Sequence, residues 1–176
     1  MLAATSAALR IAMMPFPQVK PVLAIAIISG RLLGMGGGFL VGALSMLMSN
    51  MIFGQGPWTI WQMLGAGICG AIFGIKKKDR LLNNRWFLSI SGGVVTFLIY
   101  GMILNIASAY MFNPAPSWRF IMAFWAQGLI FDGVHGVATS VFILAFYDIM
   151  RKLVTAYFRD SHPRSGGDVS RHGNAP

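Results

Sequence analysis

The chain has 176 residues, 56% of them hydrophobic and 11% charged, and a mean hydropathy of +0.64. That is too little polar surface to cover a water-soluble globule, so it reads as an integral membrane protein, not as a soluble enzyme or a disordered tail. Fourteen Lys and Arg face five acidic residues, all Asp, for a net charge of +9 whose placement decides topology, and Cys69, the lone cysteine, cannot form an intrachain disulfide.

A bilayer core needs about 20 apolar residues per helix. Six apolar runs bounded by charges, prolines or glycine clusters predict an all-α, six-transmembrane-helix bundle: Leu2 to Met14, Val22 to Leu33, Gly38 to Phe53, Trp58 to Ile75, Trp86 to Phe112 and Trp118 to Met150. The first run is short, either a partial span or the product of a misplaced start codon. A signal peptide is disfavoured by Arg10 inside the run and by the lack of a cleavage pattern before Pro15. Ala4, Ala8 and Ala12, with Ala3 and Ala7 beside them, make a small-residue stripe where another membrane helix can approach, unless they are simply the alanine common in such helices. Arg10 either snorkels to the outer surface or points inward; Lys20 lies in the loop that follows. Gly34 to Gly38 reads as a flexible inner hairpin, since no strand precedes it and no phosphate-loop lysine follows.

Charge then sorts the connections. Lys76, Lys77, Lys78, Asp79, Arg80 and Arg85 follow the fourth run, and Arg151, Lys152, Arg159, Arg164 and Arg171 follow the sixth, whereas the opposite loops carry only Lys20 and neighbouring Arg119. Both termini are therefore expected in the cytoplasm. Residues 1–150 form the membrane domain and 151–176 a basic cytosolic tail, largely disordered after about 160.

Polar side chains inside apolar runs mark either packing hydrogen bonds or a site. Asn50, Gln55 and Gln62 surround a Gly54-Gln55-Gly56-Pro57-Trp58 turn, so amides lie beside the indoles of Trp58 and Trp61. That is a pocket for a small polar ligand or a well-capped hairpin. Asn105 and Gln127 are further polar candidates. Asp132 and His135, at i and i+3, share a helix face and serve either a structural bond, for instance to Asn105, or a ligand. No triad, nucleotide fingerprint, zinc pattern or cofactor motif appears, so neither an enzyme nor a metal site is expected.

The runs Pro15-Phe16-Pro17-Gln18-Val19-Lys20-Pro21, Gly38-Phe39-Leu40-Val41-Gly42-Ala43-Leu44-Ser45 with Ser49-Asn50, and Phe53-Gly54-Gln55-Gly56-Pro57-Trp58-Thr59-Ile60-Trp61-Gln62-Met63, together with Phe131-Asp132 and His135, resemble the substrate-binding S components of energy-coupling factor (ECF) vitamin transporters. The resemblance implies a multi-pass prokaryotic plasma-membrane subunit that binds a vitamin-like micronutrient on the extracellular side under a lid after the first helix. It implies partners too: a transmembrane coupling subunit and two cytoplasmic ATPases, with no nucleic acid and no cofactor. Asn50, Gln55, Trp58, Gln62, Asn105 and Gln127 are then the expected pocket residues, Arg10 and Lys20 lid-side contacts, and Ala3, Ala4, Ala7, Ala8 and Ala12 the coupling face. Similar S components point to a corrinoid. The competing readings are a ligand-free membrane scaffold or assembly subunit and a membrane-embedded enzyme using Asp132 and His135.

Overall fold

Prolines and glycines set the helix boundaries. The computed structural model describes residues 1–75 and 81–161, so Lys76, Lys77, Lys78, Asp79 and Arg80 and the tail with Arg164 and Arg171 lie outside the described residues. Helix α1 spans Leu2–Ala12, α2 Val22–Leu33, α3 Met35–Phe53 and α4 Trp58–Ile72. Pro21 and Pro57 stand just ahead of α2 and α4, where a missing N–H costs nothing. After a single 3₁₀ turn at Leu81–Asn83, the Asn84 side chain caps α5 (Arg85–Val95) by accepting the Trp86 N–H at 2.9 Å. A π-helical segment, Thr96–Tyr100, joins α5 to α6 (Gly101–Phe112) as one rod, and α7 covers Trp118–Ser161 without a break at Met150. The described residues thus make six helical rods, an all-α membrane bundle. Three are long and apolar enough to cross a membrane: α3, the α5–α6 rod and α7. The other three, α1, α2 and α4, are shorter.

Between membrane helices there is little hydrophobic drive, so close backbone contact does the packing. Gly30, Gly38 and Gly70 bring α2, α3 and α4 together so tightly that a Cβ on any of them would strike another's backbone, and Gly42 meets the Ala66 carbonyl in the same way. This corrects the flexible hairpin expected at Gly34 to Gly38. Gly34, at φ +95°, makes the turn alone, and Gly36, Gly37 and Gly38 belong to α3. On the other side Gly92 and Gly93 let α5 approach α7, and Ser89 and Ser140 each donate to the other's carbonyl at 2.8 and 2.9 Å.

Helix α2 runs through the middle. Every residue from Val22 to Arg31 is buried, against α1, α3, α4 and α7. Its twelve residues rise only about 18 Å, short of a core of about 30 Å. Val22 and Leu23 at its start meet Met46, Ala66, Cys69 and Tyr100, which lie partway along their own helices. Helix α2 therefore fills one half of the bundle. Through the other half α3 runs on to Phe53, α4 back to Trp58 and α6 to Phe112, while residues 13–21 link α1 to α2.

Candidate functional site

In the half of the bundle that α2 does not fill, polar side chains from α1, α3 and α4 make one wall. Arg10, 9% exposed, donates from Nη1 to Ser49 Oγ at 2.5 Å and to Asn50 Oδ1 at 2.7 Å. The Asn50 amide passes the connection on, donating from Nδ2 to Thr59 Oγ1 at 3.0 Å and to Gln62 Oε1 at 2.7 Å. The tight Gly54 to Pro57 turn makes this possible, because it lays the end of α3 against the start of α4. All these acceptors are neutral, and among the described residues no carboxylate pairs with the guanidinium. Its inward course corrects the snorkelling expectation: two oxygens and the Phe53 ring, 4.7 Å from the guanidinium, replace the water it would otherwise need. Lys20 lies over the same ring at 5.7 Å and donates from Nζ to the carbonyls of Met13 at 2.9 Å and Phe16 at 3.1 Å. Partial burial, and then the neighbouring Arg10 charge, hold the Lys20 ammonium below its ordinary pKa. The loop is wound tightly enough to put Gln18 at φ +59°, which side-chain-bearing residues seldom adopt.

A second polar wall comes from α6 and α7. Asn105 donates from Nδ2 to Asp132 Oδ2 at 2.7 Å, and both side chains are half-buried. Glycines make room, Gly101 beneath the Asp132 carboxylate and Gly128 beneath the Asn105 amide. His135, on the same α7 face as Asp132, does not bond it. It sets its ring edge-on to Tyr100, centroids 5.3 Å apart, and its Nε2 has no hydrogen-bond partner although the residue is only 7% exposed. The buried hydroxyls of Thr96 and Thr139 are likewise without partners.

Of the residues singled out from sequence, Arg10, Lys20, Asn50 and Gln62 fall in the first group and Asn105, Asp132 and His135 in the second. Gln55, Trp58 and Gln127 are not brought in. Gln55 is exposed and donates to the Leu47 carbonyl at 3.2 Å, Trp58 is 44% exposed and folds over Gly56, and Gln127 is exposed with no hydrogen bond among the described residues. The alanine stripe divides: Ala4, Ala8 and Ala12 are exposed, whereas Ala7 is buried and the Ala3 carbonyl accepts the Ser45 hydroxyl at 3.3 Å. Sequence reasoning missed Ser49, Thr59, Phe53 and Tyr100. Ser49 sat beside the flagged Asn50 and Thr59 beside the flagged Trp58, and Tyr100, a polar-tipped ring mid-span, was the available signal for the second wall. A separate groove of about 500 Å³ along α7, lined by Val19, Val134, Val137, Val141 and Phe142 among others, is apolar throughout and suits lipid chains.

Among the described residues no three His, Cys, Asp or Glu side chains gather as a metal site would require. What the walls offer is hydrogen bonding of both senses beside aromatic rings, the equipment for holding a planar polar molecule. No curated protein and no solved structure matches the chain. A family model does, over residues 1–152, and its description is "ECF-type riboflavin transporter, S component". With that match spanning all six helical rods, the chain belongs to this family and is a substrate-specific membrane subunit of an ECF transporter.

Proposed function

We propose that the space between the two walls binds riboflavin from the extracellular side, for delivery by an ATP-driven ECF module. The observation that carries the reading is the incompletely bonded α6–α7 wall: a half-buried Asn105–Asp132 pair with the orphaned His135 Nε2 beside it. The pyrimidine edge of an isoalloxazine presents an N–H between two carbonyls. Asp132 accepts from the N–H, while Asn105 and His135 donate to the carbonyls. Phe53 supplies ring surface, and Gln62 with Lys20 meets the ribityl hydroxyls. A flavin takes the place of the expected corrinoid because the family is described by riboflavin and the polar groups are arranged for a flat ring edge.

Residues 13–21 occupy the approach, so ligand entry moves this loop, and Lys20 exchanges the Met13 and Phe16 carbonyls for ligand oxygens. The Arg10 end faces outward and the Arg85 end the cytoplasm, supported by the basic residues at 76–80, 85 and 151–152. The chain carries no ATPase machinery. It moves its solute by binding it differently in two states that the coupling subunit and ATPases interconvert. Exposed Ala4, Ala8 and Ala12 form the face toward the coupling subunit.

Riboflavin fluorescence titrated against the detergent-purified full chain tests the assignment. One saturable site with quenching, and none for cobalamin, is expected. Saturable cobalamin binding would restore the corrinoid, and no saturable binding of either would remove the ligand role and leave a membrane scaffold.

A further inference from the structure

The rod made by α5, the π-helical segment and α6 keeps one face toward α7. On α5, Ser89 exchanges hydrogen bonds with Ser140, and a Cβ at Gly93 would strike the Ser140 hydroxyl. On α6, Gly101 lies against the Asp132 carboxylate and Asn105 donates to it. Phe97, between the two pairs, meets Gly136. The contacts Ser89, Gly93, Phe97, Gly101 and Asn105 thus recur at every fourth residue. A regular α-helix does not hold such a series toward one neighbour. At about 100° per residue each fourth position overshoots a full turn by about 40°, which would put Gly101 about 120° and Asn105 about 160° round from Ser89. Asn105 would then point away from α7. Supercoiling takes up only about 20° per heptad, too little to recover that angle.

The π segment removes the discrepancy. There the Gly101 N–H reaches the Thr96 carbonyl, five residues back where an α-helix bonds four back, so the turn absorbs one extra residue. Counted with one residue fewer, Gly101 stands about 20° and Asn105 about 60° from Ser89, both on the α7 side. No proline in residues 85–112 forces the irregular turn. It also carries a cost, since the Thr96 hydroxyl within it is buried and has no partner.

We propose that the extra residue of the Thr96–Tyr100 segment is a positioning residue for the α6–α7 wall: it turns α6 so that Asn105, with Gly101 making room, meets Asp132. The inference rests on the ligand reading above only for the use made of Asn105, because the facing itself does not depend on which solute binds.

The test removes or adds one residue in the full-length chain and reads which face of α6 meets α7. In a Cys69→Ala background, Gly101→Cys with Asp132→Cys is the probe. A Cβ at Gly101 falls 3.1 Å from the Asp132 Cβ, close to the ~3.5–4.5 Å that a disulfide bridges. Deleting Leu98, which is half exposed, should let a regular α-helix form with the same facing. The pair is then expected to cross-link within about threefold of the parent rate, and the deletion variant without introduced cysteines to bind riboflavin within about fivefold of wild type. One Ala inserted after Leu98 should instead turn α6 by about 100°, slow cross-linking at least tenfold and weaken riboflavin binding at least 20-fold. Loss of cross-linking in the deletion variant, its failure to give a folded monodisperse species, or undiminished cross-linking in the insertion variant overturns the proposal. So does failure of the parent pair to cross-link. If cross-linking follows expectation and the wild-type chain binds no riboflavin, the positioning role stands and the ligand reading falls.

Discussion

The two polar walls draw on the same kinds of side chain and leave them in opposite conditions. On the α1, α3 and α4 side the Asn50 amide accepts from Arg10 and donates to both Thr59 and Gln62, so its bonding capacity is used within the protein. On the α6 and α7 side Asp132 holds one bond from Asn105, both remain half-buried, and His135 Nε2 holds none. A satisfied buried network rigidifies, and an unsatisfied one carries a desolvation cost that a ligand can remove. The first wall is therefore the scaffold and the second the reading surface.

Three substitutions press on that division. The largest effect is expected from Asp132→Ala: riboflavin affinity down about 100-fold, the loss of a hydrogen bond to a charged group, with thermal stability in detergent changed by less than about 1 kcal/mol. A large fall in melting temperature with unchanged affinity would instead make α6–α7 the scaffold. Asn50→Leu should show the reverse pattern. It strips an acceptor from the buried Arg10 guanidinium and partners from Thr59 and Gln62, destabilising the protein by about 2–3 kcal/mol in thermal unfolding, with riboflavin affinity kept within about tenfold. Next comes His135→Phe, which keeps a ring against Tyr100 and removes the orphaned nitrogen. Stability should hold or rise by up to about 1 kcal/mol while affinity falls about tenfold, and calorimetry with titration on one sample reads both.

How far the residues announced this arrangement depended on what each signal measures. Apolar run length located the helix ends to within about three residues, because the bilayer sets a length scale, except at the end of α7: Trp58 to Ile75 became Trp58–Ile72 and Trp86 to Phe112 the rod starting at Arg85, but the run to Met150 continued as helix to Ser161. Polar residues inside those runs were equally visible, being costly there, which is why Asn50, Gln62, Asn105 and Asp132 stood out. Which way a helix faces was not visible. Lipid is as apolar as the interior of the bundle, so no stripe of hydrophobicity separates inside from outside, and Gln55 and Gln127 looked no different from Gln62. Glycines were ambiguous for a related reason: at Gly38 the residue serves a close approach to Gly30 and Gly70, at Gly34 a turn, and only the partner helices distinguish the two. The pairing of Tyr100 with His135 depended on the register of the rod against α7 through a π segment that composition did not signal.

Gln127 and Gln55 supply the smallest expected effect and the sharpest check on facing. Gln127 sits one residue before Gly128, the position beneath the Asn105 amide, so a rotation of α7 by about 100° would turn it toward Asn105. As observed, it is exposed, and Gln55 spends its amide on the exposed carbonyl of Leu47. Replacing each by Ala removes no buried bond and leaves no buried group unpaired. Stability should stay within about 0.5 kcal/mol and riboflavin affinity within twofold for both. A tenfold loss from Gln127→Ala alone would mean that α7 presents a different face when ligand is bound, and the wall would have to be redrawn around Gln127 in place of Asp132 and His135.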